Sequence, residues 1–332
     1  MVIKNLPYQP QTYLAQLGLL LSSMLCWGSW ASTLKLTRGW PFALFYWDYV
    51  VGVLGSSIVF GLLLGGGAGF VGSLGASDGV HLLLALAAGM IFNLANQLLV
   101  VAIEIAGLAV AFPVGIGVAL VLGVILNYLL APLGSARLLF GGVALVLLAI
   151  VLDALAYRMR DATRQQLTAR GLVLSLVSGL LMGLFYPVLT RSMQPPHEFS
   201  PYAALAFFAI GVELCAIPVN LLMMKKPLTG GPSLQMKDFR SSPAGFHAAG
   251  MLGGLIWMAG ATLNVAAAQG SFVGPAISYA AGQGATMVSA VWGVFVWREF
   301  AGASGTVNRL LALMFLAFIL GLALIALAPL HR

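Results

Sequence analysis

The chain has 332 residues, of which 61% are hydrophobic and only 8% are charged. Soluble domains carry about 25% charged residues, so this composition excludes a water-soluble globule and describes an integral membrane protein with almost no extramembrane domain. The net charge of +7 is no argument for nucleic acid, because the basic residues sit in short loops between apolar runs, where membrane orientation accounts for them.

A helix needs roughly 20 apolar residues to cross a bilayer. On that measure the sequence predicts ten spans, starting near residues 14, 43, 80, 107, 137, 170, 201, 244, 272 and 305. The first apolar run, about Leu14 to Leu34, is too long for a signal-peptide core and reads as an uncleaved span holding Trp27 and Trp30. The second carries Asp48 within Tyr46-Trp-Asp-Tyr49. Its aromatic company reads as an interfacial belt around a solvated carboxylate, with a gate or proton entry as the sharper alternative.

The third span holds the most informative stretch, Asn93-Leu-Ala-Asn96-Gln97, in a segment without formal charge from Leu82 to Ile103. At 3.6 residues per turn Asn93, Asn96 and Gln97 share one helix face, which Glu104 extends. Amides in hydrocarbon need hydrogen-bond partners, so this stripe is expected to face protein or a watery cavity. A turn over Glu104–Gly107 leads to the fourth span, with Pro113 near its start. Asp153 and Glu104 lie near span ends and are expected to be wet.

The sixth span contributes Tyr186, and the seventh places Glu213 between Ile210 and Ile217. A carboxylate there costs several kcal/mol unless paired, hydrated or protonated. A proton carrier and a neutral packing group are equal alternatives for it. From Ser241 to Trp297 there is no Asp, Glu, Lys or Arg, enough for two helices with a turn at Gln269-Gly270. In the eighth span Trp257 and Asn264 lie two turns apart on one face. In the ninth, which opens near Pro275, Tyr279 and Gln283 lie one turn apart, with Thr286 a turn further. Aromatics with amides suit a flat or ring-shaped polar solute, because rings stack and amides read donors and acceptors.

Weak internal similarity relates the two halves. Gly89-Met90 matches Gly250-Met251, and Gly18-Leu-Leu-Leu-Ser22 matches Gly171-Leu-Val-Leu-Ser175. Five spans repeated once must have opposite topologies, an arrangement that recurs in secondary transporters with a midplane site. The division expected is 1–157 for the first half, 158–170 for a basic connecting loop and 171–332 for the second half. Small-xxx-small pairs such as Gly250/Gly254 describe a tightly packed bundle. Lys35, Arg38, Arg158, Arg160, Arg164, Arg170, Lys225, Lys226, Lys237, Arg240, Arg298 and Arg309 fall on one side, against Lys4, Arg137, Arg191 and Arg332 on the other. The positive-inside rule places the first group in the cytoplasm and both termini outside.

Several chemistries are missing. No Gly-rich loop ends in Lys-Ser or Lys-Thr, so nucleotide-driven transport within this chain is not expected. Cys26 and Cys215 fall inside apolar spans, and His81, His197, His247 and His331 lie at span edges or loops without metal spacing. No nucleophile–base pairing stands out. The expectation is a non-enzyme with no cofactor, no metal and no catalytic residue.

Asn93-Leu-Ala-Asn-Gln97, Gly107-Leu108, Leu126-Asn127-Tyr128, and Arg137 with Leu139-Phe140 together resemble the plant ureide permease family. Asp48-Tyr49 and Trp292-Gly293 with Phe295 and Glu299 fit the same pattern. The resemblance covers most of the chain and implies membership of the drug/metabolite transporter superfamily, beside glucose/ribose porters and the rhamnose–proton symporter. It also implies proton-coupled uptake of ureides and nucleobases. One departure is the central loop: plant members carry a long cytosolic one with a nucleotide-binding-like motif, and here only Arg158–Arg170 stands in its place.

The expected protein is therefore an all-α permease of ten transmembrane helices in two inverted five-helix repeats, in the inner (plasma) membrane, working by alternating access. Solute is expected against Asn93, Asn96, Gln97, Trp257, Asn264, Tyr279 and Gln283, with Trp27, Trp30 and Tyr186 nearby, and Glu213 and Asp48 are the proton-coupling candidates. Its partners are a small-molecule solute, protons and the lipid bilayer, with no nucleic acid and with a homodimer left open. A sugar porter, a drug or metabolite exporter and a non-transporting membrane assembly protein remain the alternatives.

Overall fold

Apolar runs of this length satisfy their backbone polar groups internally by coiling, the solution that hydrocarbon enforces. In a computed structural model, which describes residues 7–76, 78–160, 168–194 and 200–331, they form helices joined by short turns, with no strand among the described residues. Lys4, Arg164, His197 and Arg332 lie outside the described residues, as do residues 161–167 of the connecting loop.

The first half contains α1 (Tyr13–Ser29), prolonged by a 3-10 segment (Trp30–Thr37), α2 (Phe42–Leu64), a short α3 (Ala68–Ala76), α4 (Gly79–Ala106), α5 (Leu108–Leu130) and α6 (Ala136–Arg160). The second contains α7 (Ala169–Arg191), α8 (Pro201–Lys225), a short α9 (Met236–Arg240), α10 (Ala244–Ala268), α11 (Pro275–Gly282), α12 (Ala285–Val291) and α13 (Gly305–Leu327). Side-chain oxygens of Thr12, Asp78, Thr168 and Ser304 accept from the first turns of α1, α4, α7 and α13, which fixes where those helices begin. Between α4 and α5 the chain turns on Gly107 at φ +77°, a conformation glycine adopts without a Cβ penalty. Pro113 lies inside α5, well past its first turn, whereas Pro275 takes the first turn of α11.

Among the described residues, nine helices are long and apolar enough to cross a membrane. The remaining expected span, the ninth in chain order, departs from a single helix. It breaks at Gln283-Gly284 between α11 and α12 and ends in a π-helical turn, Trp292–Val296. The cause is close approach: a Cβ on Gly282 would strike the Trp27 ring and one on Gly284 would strike Met24, both on α1. Large apolar side chains such as Leu14, Leu21, Leu313 and Leu320 point outward, as lipid-facing positions do.

Glycines set the deepest helix contacts. A Cβ on Gly89 of α4 would collide with the Phe208 carbonyl of α8, and one on Gly211 of α8 with the Leu86 carbonyl of α4. The same reciprocal contact joins α10 to α2, where Gly254 meets the Tyr49 carbonyl and Gly52 meets the Met251 carbonyl. Helix pairs recur when the halves are exchanged: α4 packs on α7 and α8, as α10 packs on α1 and α2. The α6–α13 pair, with Gly142 and Gly321 against each other, links the two halves at the periphery.

Candidate solute site

The amide stripe faces inward. Asn93 is fully buried, and Asn96 and Gln97 are buried beside it on α4. Tyr46 on α2 donates its hydroxyl to Asn93 Oδ1 at 2.9 Å, Gln97 Nε2 donates to the same oxygen at 3.3 Å, and Asn96 Nδ2 donates to Tyr46 Oη at 3.5 Å. This leaves Asn93 Nδ2, whose polar neighbour is the Cys215 thiol, and Gln97 Oε1 buried without an oxygen or nitrogen partner, and Tyr49 Oη and Glu213 Oε2 on α8 are likewise unpaired. Glu213 and the Cys215 thiol are electrostatic neighbours of Tyr46. Buried polar atoms without partners are rare in folded proteins because each forfeits its hydration, so this cluster is a candidate for binding a polar solute.

A second tyrosine–asparagine centre lies in the other half. Tyr186 on α7 donates to Asn264 Oδ1 at 2.7 Å, Ser278 Oγ donates to that oxygen at 2.8 Å, and Asn264 Nδ2 donates to the Ser278 carbonyl at 3.1 Å. Tyr279 Oη reaches the carbonyls of Ala119 and Met182 at 3.1 and 3.2 Å. Every polar side-chain atom here is used within the protein.

An aromatic bridge joins the centres. Trp257 stands 4.3 Å from Phe92, 5.8 Å from Phe208 and 6.0 Å from Trp27, ring centre to ring centre, and Trp27 Nε1 donates to the Trp257 carbonyl. Phe185 continues the bridge from Phe92 at 5.3 Å to Tyr186 at 6.0 Å. Trp30, on the 3-10 segment, leans on Tyr49 at 4.8 Å.

Three expectations are corrected by this geometry. Gln283, Tyr279 and Thr286 do not form one continuous face, because the chain breaks at Gln283, whose backbone carbonyl accepts from Thr286. Asp48 is not a solvated belt residue: it is buried, and its Oδ2 accepts from His247 Nδ1 at 2.8 Å, across the α2–α10 contact that Gly250 keeps close. Asp153 is buried rather than wet, because α6 runs on to Arg160 and leaves it inside the packed helices. His247 stands at a span edge as expected, in the first turn of α10, and is bonded there to Asp48. Glu104 is exposed as expected, at the end of α4, where it lines an open groove of about 560 Å³ with Arg170, Lys226 and Thr229.

Sequence reasoning missed Tyr46, Tyr49, Phe92, Phe208 and Ser278 as parts of the two centres. Tyr46 and Tyr49 were legible as polar groups within an apolar run, and the belt reading hid them. Also missed was a network near the end of the 3-10 segment. There Glu299 accepts from Tyr157 Oη at 2.6 Å and pairs with Lys35, whose ammonium lies 5.0 Å from the Trp297 ring centre. Burial pushes the Glu299 carboxyl up, but the hydrogen bonds from Lys35 and Tyr157 outweigh it and hold the group below the usual glutamate range. No His/Cys/Asp/Glu cluster among the described residues could hold a metal ion.

Residues 161–328 match the family described as Ureide permease. The chain is 22% identical to Ureide permease 1 of Arabidopsis thaliana over 387 residues, covering 94% of this chain and 96% of that relative. It is 23% identical to Ureide permease 2 of the same plant over 395 residues, with the same coverage. A solved crystal structure whose description states no function superimposes with a TM-score of 0.65 at 17% identity, covering 94% of this chain and 97% of its own, a likeness of fold alone.

Proposed function

The chain belongs to the ureide permease family, and from that membership we propose that it carries a ureide or nucleobase across the plasma membrane by proton-coupled alternating access. It is a multi-pass membrane transporter and not an enzyme. The names of the relatives support a ureide as the solute. The observation that carries the reading is the unpaired couple Asn93 Nδ2 and Gln97 Oε1, one donor and one acceptor on a single turn of α4. A ureide alternates N–H and C=O groups, so its edge can satisfy both atoms at once, while Trp257, Phe92 and Trp27 offer faces for a flat ring.

Glu213, with one buried oxygen unpaired beside this centre, is the proton carrier in this reading. Protonation removes its charge and lets the loaded carrier turn over. The two halves, 1–157 and 171–332, act as inverted five-helix repeats joined by the basic loop 158–170. The recurrence of the α4–α8 contact as the α10–α2 contact supports that division. The excess of Lys and Arg on the Lys35 side supports a cytoplasmic placement of that side, with both termini outside.

The test is uptake of labelled ureide into proteoliposomes under an inward proton gradient. Wild type is expected to accumulate the ureide only with the gradient. Glu213→Gln is expected to lose accumulation by at least about tenfold while still exchanging ureide for ureide. Accumulation without a gradient, or unchanged in the variant, contradicts the reading.

A further inference from the structure

Asp48 and His247 come from opposite halves, 199 positions apart in the chain, and meet at the α2–α10 contact. The carboxylate side chain is 6% exposed and the imidazole 23%. Backbone approaches backbone on the C-terminal side of His247. A Cβ on Gly250 would press on the Asp48 side chain, and Gly52 and Gly254 bring the two helices together further along. His247 also sits in an aromatic corner, 5.4 Å from Trp40 and 4.6 Å from Phe239 between ring centres, both nearly perpendicular, and Trp40 packs on Phe246 at 5.7 Å. Asp48 faces His247 from α2. Other charges nearby are turned away or occupied: on α9, Lys237 and Arg240 are exposed and Asp238 Oδ2 is taken by the Gln235 amide, while Lys35 on the 3-10 segment is held by Glu299. Among the described residues, His247 Nε2 has no protein hydrogen bond.

We infer that Asp48 and His247 form a proton-binding site that clasps the two halves together. This rests on the reading of the chain as a carrier whose halves move against each other. With His247 neutral, its Nδ1–H donates to the Asp48 carboxylate and Nε2 is the acceptor for an incoming proton. Proton uptake at Nε2 turns the hydrogen bond into an ion pair between α2 and α10, and the Asp48 carboxylate is the charge that offsets the imidazolium's loss of hydration. Loss of that proton weakens the grip beside one of the contacts where backbone of one half meets backbone of the other. The proton leaves from Nε2 and Asp48 stays ionised throughout, so the pair carries one proton per cycle of tightening and release. Glu213 has a different task in this account: it neutralises the solute centre, whereas Asp48–His247 sets how readily the halves separate.

The test needs no transport. The chain has four histidines, so imidazole NMR of labelled protein in nanodiscs resolves His247 by its absence in His247→Gln. Wild-type His247 is expected to titrate, and Asp48→Asn to lower its midpoint by about one pH unit or more, because the anionic partner is gone. At one fixed pH, amide exchange in the α2 and α10 segments around the pair is expected to be about tenfold faster in both variants. An identical His247 midpoint in Asp48→Asn overturns the proposal, and so does wild-type exchange in both variants. If Asp48→Asn does not fold, exchange in His247→Gln alone decides, since the Gln amide keeps a hydrogen bond to Asp48. Failure of ureide transport is read in the proteoliposome assay and leaves both of these readouts unchanged.

Discussion

Two tyrosine–asparagine centres face each other across one aromatic bridge, built alike and finished differently. In the Tyr186–Asn264 centre, the amide oxygen accepts two hydroxyls and the amide nitrogen reaches the Ser278 carbonyl, so nothing is left over. In the Tyr46–Asn93 centre, Asn93 keeps a buried N–H and Gln97 a buried C=O without partners, with the Glu213 carboxylate alongside. A completed polar network rigidifies its helices, whereas an incomplete one costs stability until a ligand supplies the missing bonds. The difference underlies the division proposed here, with scaffolding in the second-half centre and solute recognition in the first-half one.

The comparison can be broken most severely at the bridge. Trp257→Ala removes the ring that touches Phe92, Phe208 and Trp27, and should cost about 3–5 kcal/mol in thermal or denaturant unfolding and abolish transport. A stable, active Trp257→Ala protein would deny that the centres are coupled through it. Next in size, Asn264→Leu strips partners from Tyr186 and the Ser278 carbonyl and should destabilise by about 2–3 kcal/mol. Gln97→Leu should shift stability by less than about 1 kcal/mol, because Tyr46 still satisfies Asn93 Oδ1, yet should lower ureide uptake at least about tenfold. If the two leucine variants lose equal stability, the distinction between closed and open centres fails.

The smallest effect lies outside both centres. Because the folded carboxyl of Glu299 sits below the ordinary glutamate value, its ion pair stabilises fully above that ordinary value and is lost as pH falls through the folded one. Lys35→Met should therefore lower stability by less than about 1 kcal/mol near neutrality, and the two melting curves should converge in acid, once the pH has fallen below the lowered range of the folded carboxyl. A gap that persists or widens in acid would assign the stabilisation to Lys35 packing on Trp297 instead.

Much of this was legible in the chain. Among the described residues nine of the ten expected spans are continuous helices, and the amide stripe was visible because three polar residues at helical spacing stand out in an uncharged apolar segment. What stayed hidden depends on contacts distant in sequence. Tyr46 looks like an interfacial aromatic until α4 brings Asn93 to it, and Asp48 looks solvated until α10 brings His247. The break at Gln283-Gly284 was obscured for a related reason: it follows from the approach of α1, which no local pattern in α11 or α12 announces.

The central claim is that the unpaired atoms of Asn93 and Gln97 bind the solute. Its most direct test is the shift in melting temperature that a saturating ureide produces in wild type, Gln97→Leu and Asn264→Leu. Binding to the folded state alone stabilises by about 2.7 kcal/mol at a hundredfold excess over Kd. That shift is expected in wild type and in Asn264→Leu measured from its own lower baseline, and is expected to be absent in Gln97→Leu. Equal shifts in wild type and Gln97→Leu would contradict the claim.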